Sequence, residues 1–222
     1  MTTLVYDQRL GDVLRMLPAA KYLQEQGRGP VFVQCFEQYR TALDCVTYAQ
    51  WTDRPQGEVI DLQIWPSRYE AFRASGQSWM DFVYADPRIT GADRTLVLDA
   101  LPDGPPNGLP ETYNLLAAQG ISQGFRYPMH QVMQAASHYL GPYVFLHMPC
   151  NCKFNVPSWA AGNIPDLARA IRHADKMLCI NSAPAILASA VRRGRETYFL
   201  PQKNEWAQDN CDAWPGRIDL DV

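Results

Sequence analysis

The residues best placed for chemistry fall at two corners of the chain. In LVYDQRLGDVLRMLPAAKYLQEQG, Leu4 to Gly27, a short apolar strand runs through a polar turn ending Gly11-Asp12 and then into a helix. Ligands of open α/β sheets bind beyond the carboxyl ends of the strands, so a carboxylate on this corner faces a crevice, and Asp12 is the first candidate for chemistry. The competing reading is that Asp12 caps the helix, because Asp is a favoured N-cap and suits the positive end of the dipole. At the second corner DKMLCI ends in Asn181-Ser182-Ala183-Pro184, and a helix follows that stops at Gly194. Asn or Ser caps such a helix and Pro fits its first turn. Its free N–H groups and positive dipole end together make an anion site that a phosphate would fit. A cap with no ligand accounts for the same residues equally well.

Other constellations carry less. Cys150-Asn151-Cys152 resembles half a zinc site, but no second Cys/His pair at ligand spacing follows, so no metal is expected. His130, His138 and His173 have no partner pattern and read as structural histidines. There is no Gly-x-Gly-x-x-Gly after a strand, no Walker loop and no nucleophile elbow, so dinucleotide oxidoreduction, ATP hydrolysis and serine-hydrolase chemistry lose their usual support. The segment IWPSRYEAFRASGQSWMDFVYADPR places Trp65, Arg68, Tyr69, Phe72, Arg73 and Trp79 after a strand. Rings of this kind stack on sugars or bases and Arg pairs with phosphate, although the same rings also pack a helix onto a sheet. Arg192, Arg193 and Arg195 read as a solvated, dipole-matched helix end, or as a small phosphate-binding patch.

Strand and helix alternate around these residues. LVYD, PVFVQCF, EVIDLQIW and RTLVLDAL are β-rich and are separated by helix-like stretches at Val13–Gln26, Tyr39–Tyr48 and Tyr69–Tyr84. The expectation is an α/β protein with mostly parallel, three-layer sheets. A Pro- and Gly-rich break, LPDGPPNGLPETYNLLAAQGI, interrupts the pattern before a short helix expected from about Glu111 to Gln119. The pattern resumes after Gly141-Pro142 with the strand YVFLHMP, the helix PDLARAIRHA, the strand DKMLCIN, the helix PAILASAVRRG and the strand ETYFLP. Two units are expected, residues 1–125 and 126–222.

Bulk properties narrow the classes. With 222 residues and 47% hydrophobic composition the chain can bury a real core, and no apolar run has the length to cross a bilayer. A net charge of −3 argues against holding nucleic acid by overall charge. The six cysteines are scattered through apolar runs and read as reduced thiols. The first residues carry no basic leader or cleavage site, so a cytoplasmic location is expected.

RLGDVLRMLPAAKYLQEQG closely resembles the N-terminal signature of glycosyltransferase family nine, the bacterial heptosyltransferases, in which Gly-Asp precedes an apolar helix carrying a Pro. Here those residues are Gly11, Asp12 and Pro18. HADKMLCINSAPAILASAVRRGRETYFLPQ is similar to that family's sugar-nucleotide segment, and CKFNVPSW resembles its Lys-x-Trp element. The resemblance implies a GT-B fold of two facing Rossmann-like units, with donor nucleotide sugar on the C-terminal one, acceptor on the N-terminal one, and reaction in the cleft. It makes Asp12 the general base of an inverting transfer. It places Lys153, Asn181, Ser182, Ala183, Pro184 and His147 against the donor diphosphate, and Arg9, Gly11, Trp65, Arg68 and Tyr69 on the acceptor side.

No metal or other cofactor is implied, only the nucleotide-sugar co-substrate. The implied acceptor is a saccharide such as lipopolysaccharide. The alternatives are a hydroxylated DNA base, as glycosylated by small viral enzymes of this fold, and a non-catalytic nucleotide-binding protein. The chain departs from the family pattern at Asn181, Ala183 and Ile186, which stand where that pattern has Asp, Gly and His. It is also shorter than typical members, and strands between HMPCNCKF and INSAP are expected to be missing.

Overall fold

The computed structural model describes residues 1–6, 9–118, 128–147, 157–200 and 214–220, with the backbone alone for His147. They form two compact units, Met1–Ala100 and Leu101–Val222. The first runs β1 (Thr2–Val5), α1 (Leu10–Glu25), β2 (Val31–Gln34), a 3₁₀ helix (Glu37–Cys45), β3 (Gln50–Trp51), β4 (Glu58–Asp61), α2 (Tyr69–Ser75) and α3 (Trp79–Tyr84). The second runs β5 (Leu115–Ala117), α4 (Met129–Tyr139), β6 (Val144–His147), β7 (Ser158–Ala160), α5 (Ile164–His173), β8 (Met177–Ile180), α6 (Ala183–Val191), β9 (Thr197–Leu200) and β10 (Arg217–Asp219).

The first sheet has the order β3-β2-β1-β4 and the second β10-β9-β8-β5-β6-β7. Every pairing between the described strands is parallel, as the alternation of strand and helix predicts. In the first unit α1 covers the sheet with Val13, Leu14, Met16, Leu17, Ala20 and Leu23, all fully buried. The internal Pro18 removes one helical donor, and nearby the Arg15 carbonyl accepts from the buried Tyr84 hydroxyl at 2.7 Å.

Several expectations are corrected. Residues Leu115–Ala117 form the strand β5 where a helix from Glu111 to Gln119 was expected, so the boundary between the units falls at Ala100/Leu101 and not at 125/126. The cause is tertiary. Leu115, Leu116, Ala117 and Ala118 are at most 1% exposed, the continuous apolar run of a central parallel strand. Asn114 pins this strand on both sides, donating to the Leu140 and Pro142 carbonyls and accepting from the Lys176 N–H.

RTLVLDAL is not a strand. It is fastened by isolated bonds, from Tyr48 Oη to the Val97 carbonyl, from the Thr47 N–H and hydroxyl to Asp99 and from the Ala100 N–H to the Cys45 carbonyl. The stretch 69–84 is two helices, broken where Gly76 takes the left-handed conformation at φ 64°. The strand β7 lies between HMPCNCKF and INSAP, where none was expected, and pairs with β6.

Candidate active site

Strand order locates both corners. The chain passes from β1 outward to β2 and β3 and then returns to lay β4 on the other side of β1, so the first sheet reverses direction at β1/β4. The second sheet does the same, running outward from β5 to β6 and β7 before β8 returns to the far side of β5. Such switch points are where open α/β sheets form a crevice at their carboxyl ends. The residues after β1 lead to Asp12, and those after β8 are Asn181 and Ser182.

At the first corner α1 begins at Leu10, one turn earlier than the sequence suggests. Gly11 and Asp12 therefore sit inside its first turn, and the N-cap position is held by the exposed Arg9, which makes no side-chain cap. Asp12 is not an N-cap. It occupies the third helical position, from which a carboxylate can reach back toward the N-cap N–H as in a capping box, and the Arg9 backbone N–H is among the groups that favour its charged form. The charges of Arg15 and Arg9 and the Tyr6 hydroxyl also favour its charged form. Burial outweighs these four influences and pushes Asp12 up to about 6.

Around it Tyr6 is 2% exposed and meets Trp79 of α3 edge-on, with ring centroids 5.7 Å apart, and the Arg15 guanidinium stands 5.9 Å from the Trp79 ring. Tyr6, Arg15 and Trp79 are thus part of this site, though only Trp79 stood out in the sequence, as one ring of an aromatic cluster.

Beyond β4 the other expected acceptor residues form their own group. Trp65 is 56% exposed and packs edge-on against Tyr69 at 4.7 Å. Arg68 lies over the Phe82 ring at 4.9 Å and donates to the Asp61 carbonyl. Phe36, 49% exposed, follows β2 on the opposite side of β1. Exposed aromatics therefore follow both strands that flank β1.

At the second corner Asn181 is buried, Ser182 and Ala183 are half-buried, and Pro184 is buried in the first turn of α6. Ser182 holds the N-cap position but does not cap. Its hydroxyl donates backward to the Ile180 carbonyl at 3.1 Å, so no side chain of Ser182 covers the N–H groups that open α6. The backbone of His147 ends β6. Lys153 lies outside the described residues, as does Cys150-Asn151-Cys152. Among the described residues, no group of three or more His, Cys, Asp or Glu side chains is arranged to hold a metal ion, and no helix is long and apolar enough to cross a membrane.

Arg192 is neither solvated nor free for phosphate. It is fully buried, and its five donors reach Thr197 Oγ1 and the carbonyls of Ile171, Ala174, Asp175 and Glu196.

No protein-family model matches the chain, and no curated protein matches it. Solved structures do. The iron-containing dodecameric glycosyltransferase TibC from enterotoxigenic E. coli H10407 superposes with a TM-score of 0.66 at 14% identity, over 98% of this chain and 61% of TibC. A glycosyltransferase family 9 protein from Veillonella parvula gives 0.65 at 11% identity, over 100% of this chain and 85% of that one. The E. coli heptosyltransferase WaaC with ADP-2-deoxy-2-fluoro heptose gives 0.64 at 10% identity, over 99% and 92%. The chain thus spans about three-fifths of TibC, and it shares the GT-B-like α/β fold of the family 9 glycosyltransferases.

Proposed function

We propose that this protein is an inverting glycosyltransferase that moves a sugar from a nucleotide-sugar donor to a saccharide hydroxyl, with Asp12 as general base. The observation that carries this reading is a carboxylate in the first turn of α1, at the β1 switch point, which burial pushes up to about 6. A base of that strength is ionised at neutral pH and still accepts a proton readily. Asp12 takes the acceptor hydroxyl proton as that oxygen forms its bond to the anomeric carbon. The bond from that carbon to the diphosphate breaks on the opposite face, and the configuration inverts.

The leaving diphosphate gains negative charge as it departs. The N–H groups opening α6, at Asn181, Ser182 and Ala183, with Pro184 shaping the turn, and the side chains of Lys153 and His147 are the groups we assign to meet it, in place of a metal. TibC and WaaC have been solved with ADP-D-beta-D-heptose and a fluorinated ADP-heptose, which makes an ADP-sugar the first donor class to test. Because Asn181, Ala183 and Ile186 differ from the family pattern, the sugar recognised need not be heptose. Trp65 with Tyr69, together with Arg9, Gly11 and Arg68, we assign to the acceptor, whose pyranose faces would stack on the exposed indole.

The test is sugar release and transfer by the full chain with a panel of ADP-sugars and saccharide acceptors, comparing the wild type with Asp12→Asn. Turnover should fall by a factor of about 10²–10⁴ in the variant, the usual worth of a general base, while the donor-induced rise in melting temperature is kept. Equal turnover in both proteins would remove Asp12 from the mechanism.

A further inference from the structure

Two aromatic rings stand open on either side of the strand that leads to Asp12, and the proposed transfer uses only one of them. β2 and β4 flank β1, and their last residues, Gln34 and Asp61, both pair with Val5, the last residue of β1. Phe36 comes two residues after Gln34 and Trp65 four after Asp61, so both rings follow the carboxyl edge of the sheet. The strands that deliver them lie two spacings apart, about 10 Å.

One exposed apolar side chain needs no explanation. Six large ones are exposed among the described residues, and the two that are aromatic are Phe36 at 49% and Trp65 at 56%. The other four, Met1, Val59, Val97 and Ile218, are aliphatic, and none comes directly after a strand that flanks β1. We propose that Phe36 is a further specificity-determining residue for the acceptor, a stacking platform across β1 from Trp65, so that the site takes a saccharide of at least two units with the reacting hydroxyl between them. This rests on the reading of the protein as a transferase acting on saccharides.

The fold holds both rings in place. The Phe36 ring rests tilted on the buried Tyr39 at 6.5 Å, and the Phe36 carbonyl accepts from the Tyr39 N–H at 2.8 Å. Just before it, the Cys35 carbonyl accepts from the Trp51 indole N–H of β3 at 3.2 Å. On the other side the Trp65 ring is braced edge-on by Tyr69, and the Ile64 carbonyl accepts from the Arg68 N–H at 2.8 Å. A ring that is already fixed loses little freedom when a ligand stacks on it.

The surroundings of the rings select the occupant. Phe36 is followed by the exposed Glu37 and Gln38, with Arg40 paired to Glu37 at 3.2 Å, and Trp65 stands beside the exposed Ser67. A pyranose presents an apolar C–H face inside a rim of hydroxyls, which matches a single ring set among polar side chains. A protein partner would call for a contiguous apolar patch with its charges kept to the rim. Because the two rings are separated by the width of two strand spacings, one sugar unit cannot stack on both.

The test uses the full chain and its Phe36→Ala, Phe36→Tyr and Trp65→Ala variants on an array of immobilised mono- to tetrasaccharides, alongside acceptor kinetics with ADP-sugars. The wild type should prefer features of two or more units to single sugars. Phe36→Ala should weaken the longer features between about 3-fold and 10-fold, the worth of one stacked ring, and leave single sugars unchanged. Phe36→Tyr should restore binding, and Trp65→Ala should weaken the longer features as Phe36→Ala does. The melting temperature of each free variant checks that it folds.

The proposal is overturned if Phe36→Ala binds every feature as the wild type does, if single sugars bind as tightly as longer ones, or if the wild type binds no saccharide. The array needs no donor and no turnover. Binding that depends on both rings, in a protein that transfers no sugar, would uphold the platform and sink the transferase reading. Transfer to a saccharide with the acceptor KM unchanged in Phe36→Ala would do the reverse.

Discussion

Asp12 is held by opposing forces, and its pH behaviour reports which one dominates. Burial disfavours the carboxylate more than Arg15, Arg9, the Arg9 N–H and Tyr6 favour it, so the folded protein holds the Asp12 proton up to about pH 6 while the unfolded chain releases it near 3.8. Between those values the native state binds more protons than the unfolded one, so stability contributed by the protonated group is full below about 4 and is lost as pH rises through 6. Asp12→Asn mimics the protonated carboxyl. The variant should match the wild type in chemical denaturation at pH 4 and exceed it at pH 7.5, by at most about 3 kcal/mol. A variant less stable than the wild type at pH 7.5 would make the capping contact, and not the buried charge, the larger effect. The Gly11-Asp12 corner was legible because an apolar run, a polar turn and an amphipathic helix follow one another there. Tyr6 was hidden because it reads as one more residue of an apolar strand. Arg15 was hidden because nothing in a helical sequence announces that a guanidinium is turned inward.

Elements were legible where local pattern and tertiary demand agree, as in α1, α5 and β8, and illegible where they conflict. β5 carries Leu-Leu-Ala, good helix formers, and becomes a strand because two neighbouring strands need a fully buried partner. α4, with the polar sequence MHQVMQAASHY, buries only Val132, Ala135 and Ala136 and gives a correspondingly weak signal. The end of α6 shows the same limit from the opposite side, since an Arg-rich helix end normally points to water. Arg192 instead turns into the protein and gathers the carbonyls that α5 leaves open at its end together with those before β8 and β9. Its guanidinium is lowered to about 10 by burial, which leaves it charged at neutral pH. Arg192→Met should cost about 3–5 kcal/mol in chemical denaturation, because it strands the buried Ile171 and Ala174 carbonyls and Thr197 and leaves the Asp175 and Glu196 carbonyls to water. Arg192→Lys should recover only part of that loss, since an ammonium cannot reach five acceptors in a plane. A loss under 1 kcal/mol for the Met variant would show that water replaces the guanidinium.

At the scale of the whole molecule the two units divide the proposed work, the base in Met1–Ala100 and the donor phosphates in Leu101–Val222. A net charge of −3 supplies no general attraction for a polyphosphate chain, which favours a saccharide acceptor over DNA. The second unit has its own six-stranded sheet and its own core, in which Leu116, Ala136, Phe145, Leu178 and Leu200 are each at most 1% exposed. Its β8 is buried at all four residues and delivers the chain to the opening of α6. Residues 101–222 expressed alone should therefore melt cooperatively. If the donor is bound wholly by this unit, an ADP-sugar should raise the melting temperature of the fragment as it does that of the full chain, because a ligand at 100 times its Kd stabilises the folded state by about 2.7 kcal/mol. Residues 1–100, which carry Asp12, should show no such shift. A shift seen only with the full chain would mean that the first unit also holds the donor, and the assignment of its phosphates to α6 alone would have to be given up.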